Sequence, residues 1–100
     1  MDAIVNKTSL AEADIAGAIL YLLERNPDAA EQFVVDLQNL TQRLSRFPEL
    51  YPLQRRSMKP EWRNVRMAIL RRFGHMVFYT FDNNTVIIRR VIHGARNEPK

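Results

Sequence analysis

The stretch Thr85-Val-Ile-Ile-Arg-Arg-Val-Ile-His-Gly-Ala-Arg-Asn97 constrains this chain more than any other. Asp82-Asn83-Asn84 precede its apolar run and Gly94 follows it, so Thr85–Ile92 reads as a buried central strand. Two shorter runs lie upstream. Asn64–Leu70 ends at the turn Arg71-Arg72-Phe73-Gly74, where Gly74 is free to take positive φ. His75–Phe81 ends at Asp82-Asn83-Asn84, residues that tolerate left-handed backbone. Turns this short force an antiparallel meander.

The first half reads as helix. Ser9 and Glu12 have capping-box spacing and open a helix running to about Arg25. Leu10, Ala13, Ala16, Leu20 and Leu23 form its expected core face, widened by Ile15, Ile19 and Leu22. Asn26 then caps a second helix, with Pro27 at its first position and Asp28 and Glu31 in its first turn. Ala30, Phe33, Val34, Leu37, Leu40, Leu44 and Phe47 recur at helical spacing until Pro48. So short a joint makes an antiparallel helical hairpin. The expected fold is α+β: this hairpin packed on a three- to four-stranded, mainly antiparallel sheet, the fourth strand being a short one over residues 3–7.

One hundred residues suffice for one domain, 1–100, and not for two. No apolar run approaches the roughly 18–20 residues that span a bilayer. The N-terminus lacks the pattern of a secretory signal. There is no cysteine, which excludes disulfides and thiolate metal sites and is compatible with the cytoplasm. Charge is split: residues 1–50 carry four basic and eight acidic side chains, and residues 51–100 carry eleven and three. The basic half either seeks an acidic partner, such as nucleic acid or an acidic protein segment, or is simply a solvated surface.

Residues 48–63 show no period and hold Pro48, Pro52 and Pro60. They form either a crossover pinned by Trp62 or a basic binding loop with Arg55, Arg56, Lys59 and Arg63. Strand alternation places apolar groups on both sheet faces, with Val86, Ile88 and Ile92 opposite Ile87 and Val91. Two helices cover one face only. The other is expected to expose an apolar patch that a partner covers, unless the sheet curls enough to bury both faces itself. Arg89 and Arg90 are expected to point to opposite faces, one of them needing an acidic group such as Asp14 or Asp36.

No P-loop, dinucleotide fingerprint, metal-ligand cluster or nucleophile motif is present. His75 and His93 stand alone, and Met58, Met67 and Met76 read as packing residues. No catalytic residue, metal or cofactor is expected.

The helical hairpin, the Pro-containing crossover, the Arg-rich turn before Phe78-Tyr79 and the His93-Gly94-Ala95-Arg96 ending together resemble the RelE/ParE toxin superfamily, and the ending resembles the ParE branch most. The resemblance implies a toxin of a type II toxin–antitoxin system. A labile, ParD-like antitoxin would wrap it in a hetero-oligomer, and DNA gyrase would be its target. By the same alignment, the ribonuclease branch's two strand lysines fall on Met67 and Ile69 and an arginine on Met76. A second arginine falls near Glu98, and a terminal tyrosine beyond Lys100. Methionine and isoleucine cannot stabilise a phosphorane or move a proton. The candidate target-binding residues are Arg71, Arg72, Arg89, Arg90, His93 and Arg96. The candidate antitoxin contacts are Leu37, Leu44, Met67, Ile69, Met76 and Phe78. A ribosome-dependent mRNA endonuclease using Arg66, Arg71 or Arg96 is the alternative function, and a non-toxic binding module is a third.

Overall fold

Each turn signal falls where a backbone reversal occurs. Gly74 has φ +73°, and Asn83 and Asn84 have φ 49° and 56°, the left-handed pair that a tight hairpin needs. Between these turns run β2 (Arg66–Leu70), β3 (His75–Asp82) and β4 (Thr85–His93), an antiparallel meander. A short β1 (Ile4–Lys7) pairs in parallel with β4, giving the order β1-β4-β3-β2. These elements come from a computed structural model, which describes residues 2–54 and 64–94.

Helices α1 (Ser9–Arg25) and α2 (Pro27–Arg46) form the expected hairpin. Asn26 Oδ1 accepts from the Asp28 N–H at 3.1 Å, and Pro27 occupies the first turn of α2. The cap of α1 differs from expectation. It is Thr8, not Ser9, whose hydroxyl oxygen accepts from the Ala11 N–H at 3.0 Å. The same hydroxyl donates to the Arg89 carbonyl at 2.9 Å, and the Thr8 N–H donates to Ile88 O. Thr8 wins because it can cap the helix and finish the β1–β4 ladder together.

The core lies between the hairpin and one sheet face. Phe33, Leu37, Leu40 and Leu44 of α2 pack with Leu70, Val77, Tyr79, Val86, Ile88 and Val91. The face of α1 that joins them is Ala11, Ile15, Ala18, Ile19 and Leu22, so of the expected face only the widening residues Ile15, Ile19 and Leu22 take part. Leu10, Leu20 and Leu23 are 59, 62 and 47% exposed, and Ala13 and Ala16 are exposed too. α1 is apolar on nearly every side, so periodicity alone cannot orient it. Ala11 and Ala18 face inward, where α1 lies against β4. Phe47, expected in the α2 stripe, follows the end of the helix and is exposed.

Strict alternation also fails in β4. Phe78 pairs with Arg90 and Tyr79 with Ile88, so Arg89 is an extra residue at a bulge. The bulge resets the faces: Val91 joins Val86 and Ile88 in the main core, and Ile92 joins the other side. There Ile92 packs with Val65 and Phe78, flanked by half-buried Met67 and Met76. This face is therefore largely buried within the chain, and the exposed patch expected on it shrinks mainly to Ile69, which is 48% exposed.

The first part of the crossover is ordered by hydrogen bonds. Tyr79 Oη donates to Pro48 O at 2.9 Å, and Arg66 Nη1 donates to Tyr51 O at 2.8 Å. Leu53 bridges to Arg66 beside β2. Arg55, Arg56, Lys59, Trp62 and Arg63 lie outside the described residues.

Burial raises the Tyr79 phenol above its ordinary value of 10.0, against the smaller opposing pulls of a backbone hydrogen bond with Tyr51 and of the Arg66 charge. Tyr79→Phe removes the bond to Pro48 and is expected to cost about 1–2 kcal/mol at pH 7. A phenol that holds its proton more tightly when folded stabilises the fold below its unfolded pKa. That stabilisation fades as pH rises from about 10 toward the folded pKa. Thermal melts of the two proteins should therefore converge above about pH 10. A gap that stays constant from pH 7 to 11 would refute this account.

Candidate functional site

The candidate residues fall into four places. Leu37 and Leu44 lie in the main core, 6% and 0% exposed. They offer no surface to an antitoxin, because the face of α2 that carries them is the one the sheet covers. Phe78 is 9% exposed and belongs to the second cluster. Met67, Ile69 and Met76 share its side of the sheet, with Ile69 paired to Met76 and Met67 to Phe78.

The β2–β3 turn and the end of β4 meet at one end of the sheet. The Gly94 N–H donates to Gly74 O, and His75 pairs with His93. Arg71, Arg72 and His93 are thus brought together there. The His93 ring lies 5.0 Å from that of His75, which is buried against Phe33 at 4.9 Å. Arg72 Nε donates to Asp36 Oδ2 on α2 at 3.0 Å, while its side chain stays 59% exposed.

Arg89 and Arg90 sit apart from this end, at the bulge. Arg89 is exposed and its Nε donates to Thr80 Oγ1 at 3.2 Å. Arg90 reaches α1, where Nε and Nη2 donate to the two Asp14 carboxylate oxygens at 2.8 and 3.1 Å. Asp14 Oδ2 also accepts from the Val91 N–H at 2.9 Å. The hydrogen bonds it donates to the Asp14 carboxylate raise the Arg90 guanidinium above its ordinary value, against the opposing effect of burial. Of the two acids weighed as partners for an arginine, Asp14 takes Arg90 and Asp36 takes Arg72. Arg96 lies outside the described residues.

A groove of about 570 Å³ opens between α2 and β2. Leu40, Met67, Ile69 and Leu70 supply its apolar lining, and Asp36, Arg43, Arg71 and Arg72 its charged groups. The sequence reading missed Arg43, whose Nη1 donates to Tyr51 Oη at 2.9 Å. The available signal was its position on α2, seven residues after Asp36, two turns along the polar side. Alternation along β2 adds a second property. The Met67 N–H donates away from β3, to Pro52 O, so the Ile69 backbone two residues on also faces the open edge.

Tyr51 also lines this groove, its phenol oxygen accepting from Arg43. The charged side chains of the groove are three arginines and an aspartate already held by Arg72. Tyr79 is buried and donates to a carbonyl. No group of three His, Cys, Asp or Glu among the described residues is placed to hold a metal. No helix among them is long and apolar enough to cross a membrane.

A sequence model described as the ParE toxin of the type II toxin–antitoxin system parDE matches residues 5–98. The chain belongs to the ParE toxin family. Solved structures share the fold of this ParE-family chain. A chromosomal ParDE TA system from P. aeruginosa superposes with a TM-score of 0.73 at 20% identity, covering 91% of this chain and 95% of that one. A conserved hypothetical protein, HP0894, from Helicobacter pylori gives 0.51 at 18% identity, covering 93% and 96%. No curated protein sequence matches.

The Asp14 cluster is expected to act in the ParE-family fold and not in recognition. Asp14→Ala removes the ion pair and the acceptor of the Val91 N–H, and should cost about 2–3 kcal/mol. Arg90→Ala leaves that N–H satisfied and should cost about 1 kcal/mol less. Urea denaturation of both variants tests the order. Equal losses would mean that the bond to Val91 contributes nothing.

Proposed function

We propose that this chain is the toxin half of a ParDE-type pair, that a cognate antitoxin silences it by direct binding, and that it acts on DNA gyrase in the cytoplasm. The observation that carries this reading is the apolar face of β2 and β3. In the family resemblance, Met67, Ile69 and Met76 stand where the ribonuclease branch has its strand lysines and an arginine. They lie side by side across the β2–β3 ladder, where they offer contact area but no proton and no charge. A poison that acts by binding requires only a complementary surface.

Arg66 adds support. As a nuclease residue it would need a free guanidinium, but it donates to Tyr51 O and Glu49 O and faces the Glu49 carboxylate at 3.5 Å. Arg71 and Arg89 are exposed and make no ion pair among the described residues. They are the cations best suited to meet the target, with Arg72 and His93 beside Arg71. Met67, Ile69 and Met76 are the better antitoxin contacts once Leu37 and Leu44 are assigned to the core.

Induction of the chain in bacteria without antitoxin, with pulse labelling over the first minutes, tests the target. DNA synthesis should fall before protein synthesis, and purified gyrase should accumulate cleaved DNA. If protein synthesis falls first, the ribosome is the target. If growth is unaffected, the chain is a binding module. Arg71→Glu with Arg89→Glu should reduce toxicity at least tenfold yet leave antitoxin capture intact. Ile69→Asp should weaken capture. The opposite pattern would exchange the two surfaces.

A further inference from the structure

Asp36 is held from two sides. Arg72 Nε donates to its Oδ2 at 3.0 Å. Gln32, one turn earlier on α2, donates to its Oδ1 through Nε2 at 2.9 Å. Both carboxylate oxygens are thus occupied, and the group is fixed in rotation. The Asp36 side chain is 20% exposed, whereas that of Arg72 is 59% exposed. A carboxylate with both oxygens available draws a guanidinium in through two parallel bonds, as Asp14 does with Arg90. With Oδ1 taken by Gln32, Asp36 holds Arg72 by Nε alone.

The three arginines paired across the fold therefore differ in what they leave over. Arg90 commits Nε and Nη2 to Asp14. Arg66 donates through Nη1 to the Glu49 and Tyr51 carbonyls, and its Nη2 faces the Glu49 carboxylate at 3.5 Å. Arg72 makes no hydrogen bond or ion pair through either terminal nitrogen among the described residues. Those two nitrogens are the end of the guanidinium fork, which matches two acceptor oxygens lying side by side, as in a carboxylate or a phosphate. Arg72 also stands in the β2–β3 turn beside exposed Arg71, and both border the groove next to β2. An exposed arginine on a turn samples many rotamers, and ordering it on contact weakens binding. Holding it at Nε removes much of that cost beforehand.

We propose that Asp36, steadied by Gln32, is a positioning residue for target recognition: it aims the terminal nitrogens of Arg72 outward at a two-oxygen anionic group of the target. This rests on the reading of the chain as a toxin that acts by binding. It differs in sign from simple attraction. Asp36 is an anion beside the cations that meet the target. If only the surface potential mattered, removing Asp36 would strengthen binding to an anionic group. Positioning requires the opposite.

Titration of the purified chain against gyrase and DNA, reading cleaved DNA, tests this. Arg72→Ala should raise the concentration needed at least tenfold. Arg72→Lys should restore little, because an ammonium lacks the fork. Asp36→Ala should raise it roughly three- to tenfold and add nothing to Arg72→Ala. Asp36→Asn should restore most of that loss, since its amide oxygen can accept from Arg72 Nε while its nitrogen donates to a flipped Gln32 amide. Melting temperatures should stay within a few degrees of the parent, because an ion pair to so exposed an arginine contributes little stability. An Asp36→Ala chain as potent as the parent, or more potent, overturns the proposal. So does a loss that adds to that of Arg72→Ala or follows a lowered melting temperature.

Binding to gyrase alone identifies the anion. An Arg72→Ala defect that persists without DNA makes it a carboxylate of the protein, and one that requires DNA makes it a phosphate. No defect in either condition overturns the proposal. Growth inhibition by the same variants separates this idea from the choice of target. If the parent halts growth without acting on gyrase, the gyrase reading fails, and the order of the variants in the growth assay decides on Asp36. A parent that does neither defeats both.

Discussion

The Asp14 carboxylate holds the two layers of this fold in register. β1 ends at Lys7, opposite Ile88, so the far part of β4 loses its strand neighbour on that side. The Val91 N–H would be left bare beside the helix layer. Asp14 accepts it and takes the Arg90 guanidinium too. One side chain on α1 thereby satisfies a backbone donor and a neighbouring cation on β4. A buried donor without a partner is expensive, so α1 is held where Asp14 can reach. At that distance Ala11 and Ala18 fit against the sheet, and the leucines turn outward.

The charge split along the chain has the same logic. Asp14, Asp36 and Glu49 come from the acidic half and meet Arg90, Arg72 and Arg66 from the basic half. Three of the eleven basic side chains of the second half are thus used to join the helices and the crossover to the sheet. These pairs differ in worth. Asp14 is mostly buried and makes three hydrogen bonds, whereas Glu49 is 71% exposed at the side chain and its pair contributes little. The surface positive potential rests on arginines left over from this pairing, and that number is smaller than composition suggests.

Elements set by local chemistry were legible in the sequence. Asn26-Pro27, Gly74 and Asn83-Asn84 act through their own backbone preferences, and the helices and hairpins follow from them. Features set by contact between distant segments were not. Thr8 displaces Ser9 as the cap because Arg89, remote in sequence, supplies the carbonyl its hydroxyl needs. The bulge at Arg89 is invisible to an alternation rule, and one extra residue moved Val91 into the main core and Ile92 into the second cluster. The candidate site was legible by residue type and less so by position. Leu37 and Leu44 were apolar on a good helix, which is also the description of a core residue. The groove beside β2 brings together α2, residues 51–52 and β2, which no single stretch of sequence displays.

The two apolar surfaces that remain lie on different sides of the molecule. Ile69 and Met67 belong to the β2 edge and the sheet face turned from the helices. Leu10, Leu20 and Leu23 belong to the outer side of the helix layer, with Ala11 and Ala18 of the same helix packed beneath them. A ligand on one therefore does not occlude the other by contact. Coupling between them would have to pass through α1, Asp14 and β4, a path that is rigid in each part: a hydrogen-bonded helix, a bidentate ion pair and a central strand. Rigid connections transmit occupancy poorly unless one of them has a second arrangement, and the doubly held Asp14 gives this one no evident alternative. The two surfaces should accordingly behave independently of one another.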